Sequence, residues 1–219
     1  MGECHLALGD AQQAGQFFSQ AVDLNPQFLK SYKNLADLLQ SQGKIAEACQ
    51  YLEQAQSISP LNTERLVRLG GLYLKAGEPE KAQQILKQTL KPDQKIPEEL
   101  RSEAAELFLK VGMDEVAEDL FAKAIKKQPG NLSLYNRLGI ALRRQKKHQQ
   151  ALNYYQQALK MAPKNEKIFY NVGILYFDLG ETEKAQQAFQ TALKLRPDFT
   201  EAREFLDCHF APQGSAAPL

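Results

Sequence analysis

The chain has 219 residues, and its 27 lysines and arginines nearly balance 26 aspartates and glutamates, so the formal net charge is +1. This balance argues against a nucleic-acid-binding protein, which usually carries a large basic excess. No apolar run approaches the roughly 18 residues of a membrane-spanning helix, and the N-terminus lacks the pattern of a signal peptide.

A signature of alanine, large apolar residue, alanine and proline recurs along the chain about every 34 residues, a period typical of stacked supersecondary units. The signature is degenerate once, where a proline follows Ala82, Leu86 and Thr89 two residues early, at Pro92. The regular copies are Ala14, Phe18, Ala21 and Pro26; Ala48, Leu52, Ala55 and Pro60; Ala117, Phe121, Ala124 and Pro129; Ala151, Tyr155, Ala158 and Pro163; and Ala185, Phe189, Ala192 and Pro197.

Each repeated unit contains two helical patterns. In the first pattern, apolar or small residues at i, i+3, i+4 and i+7 form one stripe, as at Phe169, Val172, Gly173 and Tyr176. The signature alanines mark the second helix, which the proline ends because it lacks an N–H donor. Between the two helices, a glycine predicts a left-handed C-terminal cap. These cap positions are Gly43, Gly77, Gly112 and Gly180.

These residues and spacings resemble the tetratricopeptide repeat, whose period is 34 residues. The resemblance implies an all-α fold, a right-handed α-solenoid of helix–turn–helix hairpins. Because the first turns of the N-terminal repeat are missing, we expect either a fragment of a longer protein or a natural start upstream. The predicted segments are a partial repeat at 1–28, full repeats at 29–62, 63–97, 98–131, 132–165 and 166–199, a C-terminal helix or cap at 200–210, and a disordered tail at 211–219.

Two places depart from the repeat pattern. Lys146 stands where a cap glycine is expected, which predicts either a strained turn, at a cost of about 1 kcal/mol, or a turn of different construction. Pro92 and Pro97 predict that the second helix of repeat 63–97 ends early. For residues 91–97, both a longer connection that kinks the stack and a frayed loop with normal stacking stay open.

No pattern in the sequence indicates catalysis, a cofactor or a metal site. There is no phosphate-binding glycine loop, metal-spaced cluster or nucleophile motif. The adjacent pairs Cys4–His5 and Cys208–His209 make poor metal sites, since neighbours on a helix point about 100° apart. With Cys49, the cysteines are odd in number and widely spaced, so we expect no disulfide framework and a cytoplasmic location.

The resemblance also implies that the first helix of each repeat lines a concave groove that holds peptides or partner helices. At the groove-facing positions, repeat 98–131 carries acidic residues, whereas repeat 132–165 carries arginines, and repeats 132–165 and 166–199 both carry apolar side chains. These arginines and apolar groups favour a partner segment with acidic and apolar residues. The predicted partner-binding residues are Asn34, Asn136, Arg137, Ile140, Arg143, Arg144, Tyr170, Asn171, Ile174 and Phe177.

Other interpretations of these residues stay open. Solvation alone can explain the arginines, and the apolar set can instead pack against residues 200–210 or a second copy of the chain. The clamp of repeats that grip chaperone tails is not matched, because Asp37 and Arg68 stand where that clamp has asparagines.

The leading hypothesis for function is a non-enzymatic scaffold for protein–protein interaction, with no nucleic acid or membrane partner. One alternative is a regulatory or substrate-recruiting arm of a larger signalling protein or enzyme, such as a response regulator or glycosyltransferase. Another is a self-assembling homo-oligomer.

Overall fold

The protein is built from α-helices joined by short connections, in a computed structural model that describes residues 1–92 and 94–210. These residues contain two 3₁₀ turns, Gln88–Leu90 and Glu98–Leu100, and no strand. The predicted all-α fold class is confirmed. The α-helices are α1 (Gly2–Ala7), α2 (Ala11–Leu24), α3 (Leu29–Ser41), α4 (Ile45–Ile58), α5 (Thr63–Lys75), α6 (Pro79–Lys87), α7 (Arg101–Lys110), α8 (Asp114–Lys127), α9 (Leu132–Arg144), α10 (His148–Met161), α11 (Glu166–Asp178), α12 (Thr182–Leu195) and α13 (Thr200–Phe210).

The helices group into two compact units. Unit 1 comprises residues 1–112 and unit 2 begins at residue 113, so the division falls inside the predicted repeat 98–131. In unit 1, each helix from α1 to α5 packs on the next helix along the chain, and α5 also packs on α7. In unit 2, each helix from α8 to α12 packs on its successor.

Asparagine side chains fix the start of several first helices. The Asn62 Oδ1 atom accepts a hydrogen bond from the Arg65 backbone N–H at 2.8 Å. At α11, Asn165 Oδ1 accepts from the Ile168 N–H at 3.1 Å. Each bond satisfies a backbone donor that the first helical turn cannot pair, which holds the helix start at one residue.

The repeated signature forms the core between paired helices. Its small residues allow close approach: a Cβ added at Gly173 would lie 2.7 Å from Phe189 Cε1, closer than carbon atoms pack. The aromatic ring of α12 therefore rests on bare backbone of α11. The first signature alanine has no exposed surface in any copy, at Ala14, Ala48, Ala82, Ala117, Ala151 and Ala185.

The turn at Lys146 has the same backbone as the glycine turns. Lys146 has φ of +60° and Gly43 has +76°. The Lys147 N–H donates to the Leu142 carbonyl at 2.9 Å, and the N–H after Gly43 donates to Leu39 at the same distance. The strained alternative is therefore confirmed, because a residue with a Cβ occupies the left-handed conformation.

The segment after α6 differs from the other connections. Helix α6 has 9 residues, whereas α2 has 14, which confirms the predicted early end. The buried Thr89 hydroxyl donates to the Leu86 carbonyl at 2.8 Å in the 3₁₀ turn that follows. A kink at 91–97 stays a prediction. Asp93 and the predicted disordered tail at 211–219 lie outside the described residues.

Candidate functional site

Ion pairs join the first helices of neighbouring repeats in unit 1. Lys33 Nζ on α3 lies 2.6 Å from Glu64 Oε1 on α5. One turn further along both helices, Arg68 pairs with Asp37. These pairs connect α3 with α5 on the groove-facing side of the two repeats.

A groove runs along α5 and α7 in unit 1, with a cavity volume of about 510 Å³. Its walls are apolar where the helices pack, since Val67 and Leu72 are 1% exposed and Leu107 is 7% exposed. Polar and charged side chains stand at its rim. The residues that line it are Gln40, Glu64, Val67, Arg68, Gly71, Leu72, Leu74, Lys75, Leu100, Glu103, Leu107 and Lys110.

Charge is distributed unevenly in this groove. Burial lowers the pKa of Arg68, and the nearby Glu103 carboxylate acts in the opposite direction. Lys75 and Lys110 stand in the last turns of α5 and α7. Lys110 lies 4.0 Å from Glu106, and Lys75 has no ion pair within the described part of the chain. The end of the groove at these helix C-termini is therefore cationic.

Of the residues predicted from sequence, Asn34 belongs to unit 1 but does not line this groove. Its side-chain amide donates to Glu3 Oε1 at 3.3 Å, and Lys30 Nζ lies 2.8 Å from the same oxygen. The hydrogen bond from Lys30, followed by that from Asn34, lowers the pKa of Glu3. In the structure, Asn34 therefore supports the contact between α1 and α3.

The other predicted residues lie in unit 2, on α9 and α11. The Asn171 amide donates to Asn136 Oδ1 at 2.8 Å, which joins two predicted residues directly. Ile140 and Ile174 are half-buried on the same two helices. These four residues form one continuous stretch of the α9–α11 face.

The predicted arginine cluster is divided between two carboxylates. Arg143 Nη1 lies 2.6 Å from Asp178 Oδ2 on α11. Arg144 Nη1 lies 3.5 Å from Asp114 Oδ1 at the start of α8. Arg137 also has an interaction within the protein. The two neighbouring arginines thus point to different helices, as expected for adjacent residues on a helix.

Helix α13 meets the aromatic residues of the predicted set. The Phe177 ring centroid lies 5.1 Å from that of Phe205 and 4.9 Å from that of His209. The Tyr170 ring lies 5.3 Å from Phe199, and burial raises the pKa of Tyr170. Packing against residues 200–210, one of the alternatives left open by the sequence for the apolar set, therefore occurs at Phe177, whereas Tyr170 meets Phe199, the residue before α13. Binding of a partner at these residues stays a prediction.

The unit 1 groove was not selected from the sequence, although its positions were available there. Counted from the first residue of each repeat, positions 2, 5, 6, 9, 12 and 13 face the groove in the resemblance, and in repeat 63–97 all six line it. Arginines and aromatic residues are the more prominent signal of a binding site in the sequence, and at the groove-facing positions they are concentrated in unit 2. A glycine at position 9, Gly71, was the signal for open space.

The described residues contain no group of three or more histidine, cysteine, aspartate or glutamate side chains placed to hold a metal ion. Among the same residues, no helix has the length and apolar character needed to cross a bilayer.

Comparison with protein families identifies the repeats. Models described as tetratricopeptide repeat match residues 1–28, 39–107 and 132–198, which together make up most of the chain. The sequence has no significant match among curated proteins.

Solved structures with the same fold share little sequence with this chain. YrrB, described as a TPR protein with an unusual peptide-binding site, is 19% identical with a TM-score of 0.69, covering 86% of this chain and 96% of YrrB. MamA from Desulfovibrio magneticus RS-1 is 19% identical with a TM-score of 0.62, covering 77% of this chain and 95% of that one. At such identities the likeness concerns the fold alone.

Proposed function

Because the chain belongs to the tetratricopeptide-repeat family, we propose that it is a non-enzymatic scaffold that binds an extended segment of a partner protein in the groove of unit 1. The observation that carries the proposal is the groove itself, about 510 Å³ in volume and lined by the same repeat positions on α5 and α7. The peptide-binding site for which YrrB is described lends support from a protein of the same fold.

The chemistry of the groove suits a peptide better than an ion or a metabolite. The half-buried side chains of Leu74 and Leu100 offer apolar surface that side chains of a peptide can bury. Around them, the Gln40 amide and the charged rim offer donors and acceptors for a peptide backbone. Apolar anchors surrounded by polar groups are typical of binding hot spots in protein interfaces.

A library of random linear peptides displayed on phage tests the proposal directly. We expect selection on the intact chain to enrich peptides with a shared sequence pattern. A synthetic copy of an enriched peptide should then bind roughly tenfold more weakly to the variant with Lys75→Glu and Lys110→Glu, because both substitutions reverse the charge at the cationic end of the groove. Fluorescence anisotropy measures the affinity.

The matched control is the variant with Lys160→Glu and Lys194→Glu. These lysines are also exposed and also stand in the last turns of helices, α10 and α12, but in unit 2. This variant should bind the peptide as the parent chain does. Failure to enrich any peptide, or equal loss of affinity in both variants, would contradict binding in the unit 1 groove.

The residues predicted in unit 2 form a second proposed contact surface of the same scaffold. The Asn136 amide N–H groups and the Asn171 Oδ1 atom, which lie outside the bond between the two side chains, could pair with a peptide backbone beside the half-buried Ile140 and Ile174, and this supports the proposal. The substitution Ile174→Glu should lower the affinity of the chain for peptides that bind to this surface. If a peptide selected on the chain responds to the Lys75 and Lys110 substitutions but not to Ile174→Glu, this surface is not its site.

Two further functional classes remain alternatives to a standalone scaffold. A catalytic or receiver domain encoded upstream would make the repeats a recruiting arm of a larger protein. Self-assembly requires a mass that rises with concentration, which light scattering at two concentrations measures. A mass of one chain at both concentrations would exclude the oligomer.

A further inference from the structure

The groove of unit 1 contains a glycine that the fold itself does not need. Two glycines are adjacent in the middle of α5. A Cβ added at Gly70 would lie 2.7 Å from two Leu86 side-chain atoms, so packing of α5 on α6 requires that glycine. A Cβ added at Gly71 would lie 3.7 Å from Leu107, an ordinary van der Waals distance. Gly71 destabilises the helix without a packing reason in unit 1.

The other full repeats have larger side chains at the position of Gly71, which is position 9. The residues there are Asp37, Glu106, Ile140 and Ile174. Asp37 is occupied by its ion pair with Arg68. A glycine at this position therefore leaves a gap in the groove-facing row of α5, opposite Leu107 of α7.

The chemistry beside this gap points to the kind of side chain that fills it. Beside Gly71 the groove is lined by Leu107 and by the half-buried Leu74, so an apolar group is favoured there. Lys75 follows Gly71 by one helical turn and faces the same side, and Lys110 lines the same groove from α7. Two ammonium groups next to an apolar gap suit a carboxylate beside a large apolar side chain.

We propose that Gly71 determines the specificity of the groove: it admits one large apolar side chain of a bound peptide, and Lys75 and Lys110 bind an acidic residue next to it. This inference rests on the proposed function and names the partner class, a protein segment in which a large apolar residue adjoins an aspartate or glutamate. Peptides that lack either residue bind weakly.

The test uses the peptide enriched on the intact chain and the variants Gly71→Ile and Gly71→Ala. Two other repeats have isoleucine at position 9, Ile140 and Ile174, so the first helix of a repeat accepts this residue there. We expect Gly71→Ile to weaken binding by roughly 10-fold to 100-fold, while Gly71→Ala, which adds a single carbon, weakens it less. The thermal unfolding midpoint of both variants should equal or exceed that of the parent chain.

A peptide in which alanine replaces the large apolar residue completes the experiment. On the parent chain the alanine peptide should bind more weakly than the original, whereas on Gly71→Ile both peptides should bind equally, because the gap is already filled. The comparison of two chains with two peptides distinguishes a filled gap, which removes the difference between the peptides, from a misfolded groove, which abolishes the binding of both.

The outcomes distinguish this inference from the proposed function. If Gly71→Ile binds the original peptide as well as the parent does, while the Lys75 and Lys110 reversals still weaken binding, the groove binds peptides but Gly71 does not select them. Enriched peptides without an apolar–acidic pair would lead to the same conclusion. If selection enriches no peptide, the proposed function and this inference fail together.

Discussion

The two units use the same repeat positions in different ways. In unit 1, all six groove-facing positions of repeat 63–97, together with Glu103 and Lys110 of α7, border a cavity of about 510 Å³. In unit 2, position 12 on α11 meets the protein's own C-terminal helix, where the Phe177 and Phe205 ring centroids lie 5.1 Å apart. A repeat position thus predicts which face a side chain occupies, but its neighbours decide whether that face is available.

Ion pairs between first helices occur in both units. Lys33 and Glu64 are joined across first helices in unit 1 at 2.6 Å, and Arg143 and Asp178 are joined in unit 2 at 2.6 Å. Unit 1 has the additional feature of a glycine, Gly71, in the groove-facing row. At the groove-facing positions, the two units therefore differ in the size of a side chain, while both contain ion pairs.

The largest expected effect concerns the core on which the α13 contacts of unit 2 rest. Phe189 has no exposed surface, and its ring lies 4.6 Å from that of Phe205 and against bare Gly173. Replacing Phe189 by alanine should lower the free energy of unfolding by about 4 kcal/mol, because it leaves a cavity between α11 and α12. Urea unfolding followed by circular dichroism measures the loss.

Phe28 provides the control for this prediction, since it is 48% exposed. Its replacement by alanine should change the unfolding free energy by much less. Equal losses of unfolding free energy at Phe28 and Phe189 would contradict the position of Phe189 in the core between α11 and α12.

A smaller effect is expected from Phe205→Ala, which removes the α13 ring that contacts Phe177 and Phe189. Because Phe205 is half-buried, we expect a loss of about 2 kcal/mol in unfolding free energy. The same change should increase the exposure of Phe177 above its present 37% and increase the binding of a hydrophobic dye. Unchanged dye binding would show that α13 does not cover this face, and would make the two units alike.

The ion pair between Arg143 and Asp178 should contribute less again. The two side chains are 20% and 34% exposed, so solvent screens their attraction only in part. A double-mutant cycle with Arg143→Ala and Asp178→Ala should give a coupling of about 1 kcal/mol, reduced at about 1 M salt. A coupling of zero at low salt would leave Arg143 available to a partner, as the sequence-based prediction of a binding cluster requires.

The sequence predicted the fold because its strongest signals are local and repeated. Ala151 and Tyr155 are spaced by one helical turn, and both are fully buried. The prolines and cap glycines mark helix ends through backbone chemistry that does not depend on distant contacts. The fold class and the early end of α6 could therefore be derived without coordinates.

The candidate site was harder to predict because it depends on contacts between repeats. Arg143 and Arg144 are neighbours in sequence, but their partners, Asp178 and Asp114, belong to different helices. Position within a repeat gives the face of the helix but not the rotamer or the partner across the interface. Contact of Phe177 with α13 likewise depends on how the C-terminal helix packs, which no local pattern encodes.

The smallest expected effect is a gain in stability at the turn that breaks the glycine pattern. Lys146 has φ of +60°, where an L-residue with a Cβ is strained by 1–2 kcal/mol in general. Because glycine loses more chain entropy on folding, Lys146→Gly should raise the unfolding free energy by only about 0.5 kcal/mol, measured by urea unfolding. The reciprocal change Gly180→Lys, at φ of +74°, should lower it by a similar amount. A loss of stability in Lys146→Gly as well as in Gly180→Lys would mean that the Lys146 side chain, rather than the backbone, determines the stability of the turn.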